Sequence, residues 1–79
     1  MRLPRDIDAS DLIKAIRYFG YETTRQTGSH IKLTTQQNGQ HHLTIPNHDP
    51  IKIGTLQAIV TEVAQHAGLS KEEVIVRLY

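Results

Sequence analysis

Apolar residues recur along this chain with two different periods, and the change from one to the other marks out the elements. Leu12, Ile13, Ile16 and Phe19 fall at helical spacing, which makes a single apolar stripe. Asp8 precedes them as a candidate N-cap and Gly20 follows as a candidate C-cap. Asp8 and Asp11 suit the positive end of the helix dipole, and Lys14 and Arg17 fall on the wet side. Residues 21–26 then read as a strand, because Tyr21, Thr23 and Thr24 favour extended backbone. After a turn at Thr27-Gly28-Ser29 the period becomes two. Ile31 and Leu33 alternate with His30, Lys32 and Thr34, and Leu43 and Ile45 alternate with His42 and Thr44. Both runs have the pattern of half-buried strands.

The register of these two strands can be argued. Pairing Leu33 with Leu43 and Ile31 with Ile45 puts all the apolar residues on one face. It leaves a three-residue loop, Gln37-Asn38-Gly39, with Gly39 where a left-handed residue is wanted. A two-residue Asn-Gly loop would set Thr34 against Leu43 and break the inside-outside match. His30, Lys32, Thr34, His42 and Thr44 are therefore expected to share the open face, with His30 near Pro46 and the loop that holds His48.

Pro46 and Pro50 punctuate that loop. Leu56, Ile59, Val60, Val63 and Ala67 form the stripe of a second helix ending at Gly68. Ser70 and Glu73 have the spacing of a capping box, and Leu69 with Val74 that of its hydrophobic staple, so a short third helix should run to about Leu78. The expected fold is α+β, in the order α-β-β-β-α-α. Its helices would lie on one face of a three-stranded antiparallel sheet.

Composition narrows this little. The 79 residues suggest one domain over 1–79, without repeats or linkers. A chain of this size buries roughly 60% of its unfolded surface, so its stability should be modest and docking to a partner would add to it. No cysteine is present, and the histidines lack zinc-finger spacing, so neither disulfides, a metal nor another cofactor is expected. Nine Lys and Arg against eight Asp and Glu give a net charge of +1, too balanced to indicate a nucleic-acid binder. The first six residues carry no apolar signal run and no stretch is long enough to cross a membrane, which points to a cytoplasmic protein.

The candidate chemistry centres on Gly28-Ser29-His30, where a glycine and a small hydroxyl residue flank an imidazole at the mouth of a turn. A surface strand histidine is ordinarily only polar, yet an imidazole on an open face can take or give a proton near neutral pH. Gly28 can adopt backbone angles that other residues resist, and Ser29 could bond its own backbone or a phosphate oxygen. Lys32 shares a face with His30 by strand parity and is a candidate phosphate ligand; Arg25 is a weaker one. Lys52 begins a Lys-x-Gly-Thr helix start that could hold an anion or simply cap the helix. His48 is a secondary acid–base candidate. His41 and His42, adjacent in a strand, should face opposite ways and cannot easily share a metal. Phe19 and three tyrosines are the only aromatic residues, which gives no evident base-stacking platform.

Gly28-Ser29-His30, followed by Ile45-Pro46-Asn47-His48 and Lys52-Ile53-Gly54-Thr55-Leu56 in so short a chain, resembles the HicA family of bacterial toxins. The likeness covers residues 11–78. It implies a fold laid out like a double-stranded-RNA-binding domain and a ribonuclease that cuts messenger RNA with His30 as its catalytic residue. His48 matches loosely a family position that is often histidine. It further implies a HicB-type antitoxin partner covering the His30 face in a hetero-oligomer, with the free toxin a monomer. Without the resemblance, a non-catalytic RNA-binding module and a protein–protein adaptor remain open.

Overall fold

The computed structural model describes residues 2–79. Helix α1 (Ala9–Ile16) tightens into a 3-10 turn, Arg17–Phe19, and stops at Gly20, whose φ of 86° is left-handed. A side chain at Gly20 would also meet Thr35 Oγ1 at 2.6 Å, so both the backbone angle and the neighbour require glycine there. Strands β1 (Glu22–Thr27), β2 (His30–Thr35) and β3 (His41–Pro46) form an antiparallel sheet in the order β1-β2-β3. Helices α2 (Ile53–Ala67) and α3 (Lys71–Ile75) follow, and a 3-10 turn covers Val76–Leu78. The arrangement is α-β-β-β-α-α, an α+β fold of the double-stranded-RNA-binding-domain kind.

The register follows the side-chain alternation. Leu33 pairs with Leu43 and Ile31 with Ile45, and all four are buried. They meet Leu12 and Ile16 of α1 and Leu56, Ile59, Val60 and Val63 of α2 in a continuous apolar cluster that also takes in Val74 and Ile75. His30, Lys32, His42 and Thr44 stay exposed on the other side and Thr34 is half-buried. All three helices therefore cover one face and leave the other open. The Ser70–Glu73 capping box forms as expected: Glu73 N donates to Ser70 Oγ at 3.2 Å and Ser70 N to Glu73 Oε1 at 3.1 Å.

Two expectations need correction. Tyr21 is not a strand residue. It precedes β1 and is buried in the core, 1% exposed, whereas all six residues of β1 are exposed. The strand is held by its hydrogen-bond ladder and the side-chain bonds of Thr24, with no residue buried in the core, so its threonines signal extended backbone and not burial.

The β2–β3 loop is also wider than three residues. The last rung is Thr35 with His41, which leaves Gln36 to Gln40 as a five-residue loop, with left-handed angles at both Asn38 and Gly39. Side chains take over the backbone groups here. Thr35 Oγ1 donates to Phe19 O at 2.9 Å and accepts from Gln37 N at 3.1 Å. His66 Nε2 lies 2.8 Å from Gln37 O and 2.9 Å from Gly39 O. Carbonyls only accept, so this nitrogen carries the proton and ties the loop tip to α2. With these partners in place the strand need not extend its ladder.

Candidate functional site

A two-residue connection joins β1 to β2. Thr27 pairs with His30 directly, so only Gly28 and Ser29 lie between them. Gly28 has φ +55°, a positive angle at the first central position, as a type II′ hairpin requires. A Cβ on Gly28 would touch nothing within 4 Å, so the angle, not crowding, calls for glycine. On the other side His30 pairs with Pro46, and Asn47 N donates to Ser29 O at 2.6 Å. That bond pins the loop carrying His48 against the turn. His48 N turns back to donate to Pro46 O at 2.9 Å. Both His30 and His48 are exposed.

The cations beside this turn are set by an irregularity in β1. Glu22 pairs with Thr34 and Thr23 with Leu33, but the next pair is Arg25 with Lys32. Thr24 is the extra residue of a β-bulge. A regular ladder would set Arg25 opposite Ile31, on the helix-covered face. The bulge instead sets it opposite Lys32, and directly opposed residues share a face. Thr24 Oγ1 lies 3.3 Å from Thr34 Oγ1 and 3.4 Å from Lys32 O, which holds the bulge on the open side. The open face thus carries a row of Arg25, Lys32 and Thr44 next to a row of Thr27, His30 and Pro46. Rows on one face are two residues apart, about 7 Å.

The candidates therefore divide. His30, Ser29, Gly28, Lys32 and Arg25 come together around one turn and sheet face, with the His48 loop bonded to it. Lys52 does not join them. It is the N-cap residue of α2 and lines a separate groove with Arg5 and Lys71. Residue-type reading missed Asn47, whose amide is the tie between loop and turn, and Thr24, whose bulge turns Arg25 round. The first is a backbone N–H bond, which residue type does not mark, and no sequence signal marked the second.

The other histidines are occupied. His41 stacks on His66 with ring centroids 4.5 Å apart, and its Nδ1 lies 2.7 Å from Tyr21 Oη. His42 Nδ1 lies 2.8 Å from Thr34 Oγ1. His41 and His42 do face opposite sides of the sheet. Among the described residues no His, Asp or Glu cluster is arranged to hold a metal ion, and no partner is bonded to the imidazoles of His30 or His48.

The family model described as HicA toxin of bacterial toxin-antitoxin matches residues 9–69, well over half of the chain. The chain belongs to the HicA toxin family. Neither a curated protein nor a solved structure gives a significant match. The match takes in the turn, all three strands and α2, so every residue gathered at His30 falls inside the HicA region. As a HicA-family member the chain is the toxin half of a toxin–antitoxin system. Among the described residues no helix is long and apolar enough to cross a membrane.

Proposed function

We propose that this HicA-family chain is an endoribonuclease that cuts messenger RNA without a metal ion, using His30 for proton transfer. The observation that carries this reading is the exposed, unpartnered imidazole at the end of β2, one row from the paired cations Arg25 and Lys32. In this scheme Arg25 and Lys32 hold phosphates, which would otherwise leave two like charges facing each other across the strands. Ser29 and the open backbone at Gly28 admit the phosphate next to His30. The ribose 2′-oxygen then attacks the adjoining phosphorus, and the P–O5′ bond breaks as the new P–O2′ bond forms. His30 takes the 2′-hydroxyl proton or supplies the proton that the 5′-oxygen gains; His48 is the candidate for the complementary step. The products are a cyclic phosphate and a 5′-hydroxyl.

One positioned proton-transfer group contributes roughly 10²–10⁴-fold. Lys52 has no role in this step on its present placement. The partner in this reading is a HicB-type antitoxin that covers the His30 face in a hetero-oligomer, the free toxin being a cytoplasmic monomer of a single domain spanning residues 1–79. Wild type and His30→Ala, incubated with a long single-stranded RNA in EDTA, test the proposal. Cleavage by wild type alone, with 5′-hydroxyl ends, is expected. Ends bearing 3′-hydroxyls, or cleavage only with a divalent cation, would overturn the mechanism. Binding without cleavage would make the chain an RNA-binding module.

A further inference from the structure

A groove of about 740 Å³ lies between the N-terminal residues and the starts of α2 and α3, and none of the His30-face residues lines it. Exposed Arg2, Arg5, Lys52 and Lys71 stand around it against only two carboxylates, Asp6 and Glu72. Aliphatic surface lies between these charges: Ile53 is 46% exposed and Leu3 is half-buried. No lining residue is aromatic. RNA would find cations there but no ring to stack on. A peptide that sets carboxylates beside aliphatic side chains would match both the excess positive charge and the apolar floor.

The groove is also joined to the His30 turn. Pro50, Ile51 and Lys52 form its lip, and the chain leading into them is bonded to Ser29 through Asn47. Ile51 N in turn donates to Ile7 O at 2.8 Å, fixing the lip to the N-terminal segment.

We propose that this groove seats an acidic, aliphatic-anchored segment of the antitoxin, at a docking site separate from the His30 face. The inference rests on the chain being an antitoxin-controlled toxin; it does not need His30 to be catalytic. A second anchorage would hold the antitoxin on the toxin while RNA competes for the open face, because linked contacts raise the effective concentration at both sites.

The test uses the full chain and the antitoxin encoded beside it. Binding and RNA cleavage are measured for wild type and for Arg5→Glu/Lys71→Glu, neither residue belonging to the proposed RNA site. The double reversal should weaken antitoxin binding by about tenfold or more, reduce its salt dependence, and leave RNA cleavage unchanged. Unchanged antitoxin affinity in the folded variant overturns the proposal. So does lost cleavage with antitoxin affinity intact, which would give the groove to RNA. Lysine acetylation of the wild-type complex needs no variant: bound antitoxin should shield Lys71 and leave Lys14 on α1 reactive. Equal Lys71 labelling in the free and bound toxin overturns the docking site. Shielding of Lys71 with no RNA cleavage by the free toxin would sink the nuclease reading and keep this one.

Discussion

The two ends of the β2–β3 hairpin each carry histidines, and they are built in opposite ways. At the loop end, His41 and His66 are half-buried, stacked on one another and bonded to Tyr21 and to two loop carbonyls. The other ring nitrogen of His41, Nε2, lies 3.9 Å from the Glu62 carboxylate. At the turn end, His30 and His48 stand exposed, and only backbone bonds position their segments. An imidazole whose nitrogens are already taken serves the fold. One that is placed by its backbone but left without partners is free to exchange protons with a substrate. The difference lies in the surroundings, since the residue type is the same.

The comparison breaks first at His30. His30→Ala should lower RNA cleavage by ~10²–10⁴-fold while leaving the melting temperature near that of wild type. A large fall in stability with little loss of cleavage would reverse the roles assigned to the two ends.

Next in size are the cations that the bulge aligns. Deleting Thr24 removes the extra residue and keeps Arg25 opposite Lys32, so RNA binding should stay near that of wild type. Arg25→Ala and Lys32→Ala should each flatten the dependence of log affinity on log salt by about 0.7 for the lost phosphate contact. Identical slopes in all four proteins would remove both cations from the RNA site.

At the loop end, His66→Ala should cost about 1 kcal/mol of stability, the usual net worth of such a hydrogen bond, measurable by urea denaturation. Cleavage should be unaffected, and amide exchange in residues 36–40 should quicken.

The smallest effect is alkaline. Burial, and then the Glu62 carboxylate, push the Tyr21 phenol up to about 12 from the ordinary 10.0. Stability from the neutral phenol is therefore whole below pH 10 and is lost as pH rises towards 12. Tyr21→Phe lacks this ionisation, so the stability gap between wild type and variant should shrink across that window. A constant gap in melts from pH 9 to 12 would take Tyr21 out of the network.

How much could be read beforehand depended on whether a feature was local. The Leu33–Leu43 and Ile31–Ile45 register was legible because a period-two pattern tolerates only one inside-outside match. The Ser70–Glu73 cap was legible because both partners lie within one turn. The five-residue loop was not, since Thr35 and His66 hold it through Phe19 and α2, far away in the chain. Lys52 was placed with the RNA candidates because a Lys-x-Gly-Thr helix start could hold an anion. The fold sends it instead into the groove with Arg5 and Lys71.

The amino-acid order by itself determined the element sequence, the open sheet face and the Gly28-Ser29-His30 turn, because periodicity, capping and a positive φ at glycine are decided by neighbouring residues. Only the tertiary structure decided which histidines are free and where Arg25 points. A hydrogen bond to an imidazole or an extra residue in a ladder depends on groups that only folding brings together.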